Sequence, residues 1–294
     1  MKKEIFRGVA TALVTPFIQD GTKIDFDAFA KLIEEQIANG VSALVFLGTT
    51  GEPATMTQEE CDEVIKFAVK HVNHRVPVIA GAGGNNTRVA VEKSKRYESF
   101  GVDALLHVTP YYNKATQSGL VEHYTQIASA VKVPIILYNV PGRTGVNIQP
   151  STLKILSKIP NIVAVKEASG NIEQITEIIR ICGDDMPVYS GDDGLTYSIL
   201  ALGGIGVISV ASNVVPKQMH DLCEIYFAGD INKSRDIQLA LLPLIKSLFI
   251  EVNPIPAKTA LAHLGKMSST LRLPLTQMSD ENKQKLFAEL KKFC

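Results

Sequence analysis

Eight short apolar runs recur along the chain, each followed by a stretch of helical periodicity, and this alternation restricts the fold more than any other feature. The runs cover residues 9–15, 43–47, 78–81, 104–109, 135–140, 162–166, 188–191 and 206–210. Helix-like segments lie near 26–39, 57–72, 87–100, 117–131, 151–158, 172–182, 194–202 and 215–228. Strands alternating with helices predict a parallel sheet built of βαβ units. Eight such units in roughly 225 residues is the number and size at which the sheet closes on itself. The expected fold is therefore α/β, a (β/α)8 TIM barrel over residues 1–229. Beyond 229 the strand pattern stops and three helical patterns remain, at 230–250, 255–264 and 279–293. Residues 230–294 are expected to form a C-terminal helical appendage.

The punctuation repeats too. Pro precedes the strands in VPVIAG, VPIILYN, MPVYSG and IPNIVAVK, and Gly ends the preceding helix in NGVSALVFLG, FGVDALLHVTP and LGGIGVISV. Gly suits the left-handed position after a helix, and Pro stands where no helix can continue. One repeating unit explains this spacing better than two unrelated domains. Asp25 can cap the first helix, and Thr57 with Glu60 forms a capping box for the second.

Lys plus Arg and Asp plus Glu number 30 each, and no basic stripe is visible. This argues against nucleic acid and against an anionic membrane surface as partners. It also leaves little charge repulsion to oppose self-association. Cys61, Cys182, Cys223 and Cys294 show no metal-ligand spacing and no CxxC, so reduced, mostly buried thiols of a cytoplasmic protein are expected. MKKEIFRG is too short and too charged for a signal peptide, and no apolar run reaches transmembrane length.

Reactive groups of α/β barrels sit at the carboxyl ends of the strands. The sixth run, in PNIVAVKEASG, delivers Lys166 at its end. An ammonium buried there loses water, and desolvation favours the neutral amine, a nucleophile able to form a Schiff base with a carbonyl. The other reading is a lysine that snorkels to solvent or pairs with Glu167. Tyr138 ends the fifth run at similar depth on the neighbouring strand; its phenol can both donate and accept protons, or it is a core tyrosine. Arg143, in the following loop, can meet a substrate carboxylate with two hydrogen bonds or simply be solvated. In LGTTGEP, Thr49 and Thr50 between Gly48 and Gly51 can hold a carboxylate, or form an ordinary turn. Tyr111 and Tyr112 after the fourth strand suit packing or an interface, and His107 within it suits the core. Asp192 and Asp193 could bind a metal or act as acid and base, but no histidine cluster completes such a site. No GxGxxG or GxxxxGK[ST] supports a nucleotide cofactor.

Four motifs carry a resemblance over essentially the whole chain: GTTGE at 48–52, TPYYNK at 109–114, YNVPGRTG at 138–145 and VAVKEASG at 163–170. In order and spacing they resemble the dihydrodipicolinate synthase and N-acetylneuraminate lyase superfamily of pyruvate-dependent, Schiff-base-forming lyases. The resemblance implies condensation of pyruvate with L-aspartate 4-semialdehyde, the first committed step of diaminopimelate and L-lysine biosynthesis, without metal or organic cofactor. It implies that Lys166 forms the imine and that Tyr138 shuttles protons, linked by Thr49 to Tyr112. It further implies that Thr50 holds the pyruvate carboxylate, that Ile208 contacts pyruvate through its backbone, that Gly191 lines the pocket, and that Arg143 receives the second substrate's carboxylate. A homotetramer, a dimer of dimers with Tyr112 supplied across a tight interface, is implied as well. The Thr49-Thr50 pair and Arg143 favour this branch over N-acetylneuraminate or 2-keto-3-deoxy sugar acid lyases, the runner-up. A non-catalytic keto-acid-binding regulator on the same fold is the alternative of a different class, which the intact lysine, tyrosine and threonine set opposes. The chain departs from the family at the positions matching its inhibitory lysine site: Gln58, Cys61 and Val89 stand there, while Asn85 and Tyr111 match. Inhibition by lysine is therefore expected to be weak or absent.

Overall fold

The computed structural model describes residues 2 and 4–293. Eight parallel strands close into a barrel in chain order: β1 (Gly8–Ala12), β2 (Ala43–Phe46), β3 (Val78–Gly81), β4 (Ala104–Val108), β5 (Ile135–Asn139), β6 (Ile162–Glu167), β7 (Val188–Ser190) and β8 (Gly206–Ser209). Helices alternate with them: α1 (Phe26–Ala38), α2 (Gln58–Val72), α3 (Thr87–Ser99), α4 (Gln117–Ala130), the single turn α5 (Pro141–Thr144), α6 (Pro150–Leu156), α7 (Ile172–Cys182), α8 (Thr196–Ala201) and α9 (Pro216–Phe227). The tail adds α10 (Ile231–Ser247), α11 (Ile255–His263) and α12 (Asp280–Leu290). The TIM barrel and the extra helices are those expected from the alternation. Strand residues are buried almost throughout, as they must be where helices cover the outer face and side chains fill the inner one.

Most strands are shorter than the apolar runs that encode them, because backbone groups find other partners. β2 stops at Phe46 since Leu47 is left-handed, φ +55°. Past β1, the Val14 amide donates to Asn213 Oδ1 at 3.0 Å rather than to a neighbouring strand. Helix starts follow the caps: Asp25 accepts from the Ala28 amide, and Thr57 and Glu60 form the reciprocal capping box. α5 was not expected; Pro141 starts it and Gly145 at φ +71° ends it.

Contacts gather the chain into two compact units, residues 1–7 with 77–208, and residues 8–76 with 209–294. Cys61, Cys182 and Cys223 are buried as thiols, and Cys294 lies outside the described residues. Among the described residues no helix is long and apolar enough to cross a membrane.

In the first unit His107 is fully buried, as expected of a core histidine. Ser94 Oγ donates to Ala90 O at 2.6 Å, so it accepts from His107 Nε2 at 3.2 Å, which fixes the Nε2–H tautomer. Burial pushes His107 down to about 3. His123, bonded to Thr87 Oγ1 through Nδ1 at 2.9 Å, is lowered by burial to about 4. The unfolded chain takes up these protons near pH 6.5. Between there and the folded values the unfolded state binds more protons, so stability is full above 6.5 and falls as pH drops. His107 alone should remove roughly 2 kcal/mol by pH 5. Urea midpoints of wild type and His107→Asn from pH 7 to 5 check this; the wild type should decline more steeply, and parallel curves would assign the acid sensitivity elsewhere.

Candidate active site

The first unit brings Lys166 and Tyr138 together. Parallel pairing of β5 with β6 sets Tyr138 opposite Lys166 in register. The lysine Nζ lies 4.2 Å from the tyrosine ring centroid, within cation–π range. Lys166 is 5% and Tyr138 7% exposed, so the amine does not snorkel to solvent. Side chains alternate along a strand, so the next pair, Asn139 and Glu167, faces the other way. There Asn139 Nδ2 donates to Glu167 Oε2 at 2.9 Å, and the Ser169 amide donates to Oε1 at 2.7 Å. The alternative of a Lys166–Glu167 pair thus gives way to a hydrogen-bonded carboxylate on the opposite face. Burial raises Glu167 above the usual carboxylate range, opposed by the bonds from Ser169 and Asn139. Asn139 also donates to Asn147 Oδ1 at 2.8 Å, and Asn147 donates to Gln174 Oε1 at 2.7 Å. This network fastens the loops behind the lysine, and sequence reasoning missed it because amides at such spacings carry no local signal.

Gly191 closes against the same lysine. A Cβ there would sit 2.7 Å from Ala168 Cβ and 3.1 Å from Lys166 Cε, so only glycine lets β7 end beside the amine. Ile208 on β8 is buried. Asp192 is occupied as a cap, its Oδ1 accepting from the Gly194 amide at 2.8 Å, and Asp193 is buried. Among the described residues no three His, Cys, Asp or Glu side chains gather as metal ligands.

Two other candidates of this unit stand on loops. Arg143 is exposed on α5, whose Thr144 hydroxyl accepts from Thr109 Oγ1 at 3.0 Å, fixing the loop after β5 to the end of β4. Tyr112 is 90% exposed and left-handed at φ +72°. A non-glycine residue held there, with its ring in solvent, is a conformation that calls for a functional reason.

In the second unit Thr49 and Thr50 occupy a 3-10 turn, Thr49–Gly51, with Thr49 exposed and Thr50 buried. Three buried tethers hold this turn. Thr15 Oγ1 donates to Gly51 O at 2.7 Å. Asn253 Nδ2 donates to Thr50 Oγ1 at 2.9 Å. Glu52, left-handed at φ +55°, receives Lys258 Nζ on Oε1 at 2.5 Å. Lys258 also lies 4.2 Å over the Phe17 ring, as does Arg272, whose guanidinium reaches both oxygens of Glu60 at 2.6 and 2.7 Å. Neither Asn253 nor Lys258 was singled out from the sequence. The available signal was a lone cation in the otherwise apolar stretch IPAKTALA, since a lysine is rarely buried without a partner.

Residues 5–293 match the model of the Dihydrodipicolinate synthetase family. A 4-hydroxy-tetrahydrodipicolinate synthase of Acetivibrio thermocellus is 52% identical over 293 residues, covering 100% of this chain and 99% of the relative. One of Clostridium tetani is 53% identical over 287 residues, 97% of each. Among solved structures, dihydrodipicolinate synthase from Thermotoga maritima is similar at a TM-score of 0.96 and 44% identity, over 98% of this chain and 99% of that one.

Proposed function

The chain belongs to the dihydrodipicolinate synthetase family and is a lyase, and from this premise we propose that it condenses pyruvate with L-aspartate 4-semialdehyde through an imine on Lys166. The observation that carries the proposal is the buried Lys166 amine 4.2 Å from the Tyr138 ring centroid at the carboxyl ends of paired strands. The Nζ lone pair attacks the ketone of pyruvate, and loss of water leaves a protonated imine. That imine is an electron sink, so the pyruvate methyl group releases a proton and the resulting enamine attacks the aldehyde. Transimination and cyclisation release the heterocycle and return the amine. Protons must reach both oxygen and nitrogen during these steps, which suits a chain of hydroxyls better than one base. We assign that relay to Tyr138, continued by Thr49 and Tyr112. Thr50 holds the pyruvate carboxylate, the Ile208 backbone contacts pyruvate, Gly191 leaves it room, and Arg143 receives the carboxylate of the aldehyde substrate. The motif matches support these roles, and the near-complete exposure of the Tyr112 ring supports its delivery across an interface, within a homotetramer. In this reading residues 1–229 carry the chemistry, residues 230–294 form the helical appendage, and the enzyme works in the cytoplasm.

Borohydride with pyruvate tests the proposal. One pyruvate-derived adduct should appear on the peptide containing Lys166, and an unaltered mass or a label elsewhere would sink it. Turnover with aspartate semialdehyde, N-acetylmannosamine and glyceraldehyde then separates the branch from sugar acid lyases, and any turnover at all separates it from a binding regulator.

We also propose weak or absent inhibition by L-lysine. Gln58 already donates to Asp62 Oδ1 at 2.8 Å, Cys61 is a buried thiol and Val89 is an exposed apolar side chain. None offers a ligand ammonium the carboxylate it needs. An inhibition curve should stay flat through the submillimolar range, and half-inhibition within it would contradict the proposal.

A further inference from the structure

We infer that Asn253 is a positioning residue that aims the Thr50 hydroxyl at the carboxylate of the keto acid; the inference rests on the function proposed above. A threonine hydroxyl has one proton to give and lone pairs to accept with. In a buried site its rotor is set by whichever neighbour it must satisfy. Here that neighbour is Asn253, whose Nδ2 donates to Thr50 Oγ1 at 2.9 Å, with both residues buried. The amide supplies a proton, so the hydroxyl accepts on that side and its own proton turns away, free for a ligand oxygen. The opposite assignment would aim the threonine proton at the asparagine and leave a carboxylate facing lone pairs.

The surroundings agree. Asn253 Oδ1 is buried without a hydrogen-bond partner. An amide that leaves its own acceptor unsatisfied while donating to a hydroxyl is placed for the donation rather than for its own stability. The residue immediately precedes the segment from Pro254 into α11, and α11 is fixed from the same turn by Lys258 on Glu52. The distance between the amide and the hydroxyl is therefore held at two points, through Asn253 itself and one helical turn further on. Gly51 is closed in as well: a Cβ there would meet Leu13 O and Thr15 Oγ1, each at 3.3 Å. Gly51 O also accepts from Thr15 Oγ1 at 2.7 Å, which ties the turn beside Thr50, and the direction of the Thr50 proton is left to Asn253. The helical tail thereby takes part in recognising the substrate, although it lies some 203 residues along the chain from the threonine it serves.

The experiment is a two-by-two cycle of wild type, Asn253→Ala, Thr50→Val and the double variant. The readout is the pyruvate concentration that gives half-maximal borohydride trapping, with thermal midpoints recorded beside it. Asn253→Ala should raise that concentration threefold or more in the Thr50 protein, and by less than threefold once Thr50 is Val, because there is no hydroxyl left to aim. A rise below threefold in the Thr50 protein, or the same threefold or larger rise in both backgrounds, would overturn the inference, the second outcome marking a merely structural role. Should Asn253→Ala not fold, Asn253→Ser, too short to reach Thr50 Oγ1, takes its place. Absence of any adduct in wild type would instead refute the proposed function, so the two failures are told apart.

Discussion

Lys166→Ala should fold, yet show no pyruvate-derived mass gain after borohydride treatment and lose turnover by at least about 10^4-fold, the scale on which enzymes lose activity with their covalent nucleophile. The substitution removes the amine and most of a buried side chain, but it strands no carboxylate. Glu167, the nearest acidic neighbour in sequence, is satisfied on the far face of β6 by Asn139 and the Ser169 amide. What remains is a small cavity beside the Tyr138 ring, worth on the order of 1–3 kcal/mol, too little to unfold a chain of this size. Activity and stability should therefore separate: a thermal midpoint within several degrees of wild type, alongside a blank adduct spectrum and a blank assay. An adduct that persists in the variant, or activity within a hundredfold of wild type, would mean that another amine does the chemistry. Lys258 is the natural suspect in that event, being the other lysine with a buried side chain among the described residues, but its ammonium is already committed to Glu52 and to Thr270 O.

The parts of this molecule that were legible in its sequence are those whose causes are local. Eight apolar runs of strand length gave eight strands in order, because burial on both faces leaves a continuous hydrophobic signature. Asp25 and the Thr57–Glu60 box marked helix starts because a cap lies within three residues of what it caps. The pairing of Lys166 with Tyr138 was visible as two residues at similar depth on neighbouring strands, which the β5–β6 register brings opposite each other. Strand ends were less legible, since they depend on partners from elsewhere: the Val14 amide leaves the sheet for Asn213, 199 positions away. The tethers on the threonine turn were not legible at all. Asn253 falls in the gap between the helical patterns at 230–250 and 255–264, and Lys258 lies inside the second of them. Their partners lie 203 and 206 positions distant, and no periodicity or spacing connects them. Glu52 stood within a quoted motif, yet nothing in GTTGE says that its carboxylate is buried or that its backbone is left-handed.

That burial sets the largest expected loss of stability. Lys258→Met should lower the thermal midpoint by roughly 6–20 °C. Lys258 is 0% exposed, and its ammonium meets Glu52 Oε1 at 2.5 Å, Thr270 O at 2.9 Å and the Phe17 ring. Burial drags this lysine down to about 8, against the opposing pull of the Glu52 carboxylate. An ion pair so enclosed gains little over an apolar pair of similar volume, because desolvation offsets most of the attraction. Breaking it from one side is a different matter. Methionine fills the space of the lysine stem but leaves the Glu52 carboxylate in the interior without its cation, a penalty of about 3–5 kcal/mol. In a chain of this length each kcal/mol moves the midpoint by roughly 2–4 °C. The lesion also falls on a strained residue: Glu52 sits at φ +55°, its side chain is held by Lys258, and Thr50 stands two positions before it. Pyruvate binding should therefore weaken along with stability, unlike the Asn253→Ala variant, in which binding should change more than the midpoint. Glu52→Gln in the Lys258→Met background should recover part of the loss by removing the stranded charge, since a neutral amide is far cheaper to bury than a carboxylate. Thermal melts of the three proteins decide it. A Lys258→Met midpoint within 2 °C of wild type, or a double variant less stable than Lys258→Met alone, would show that the pair does not hold the turn.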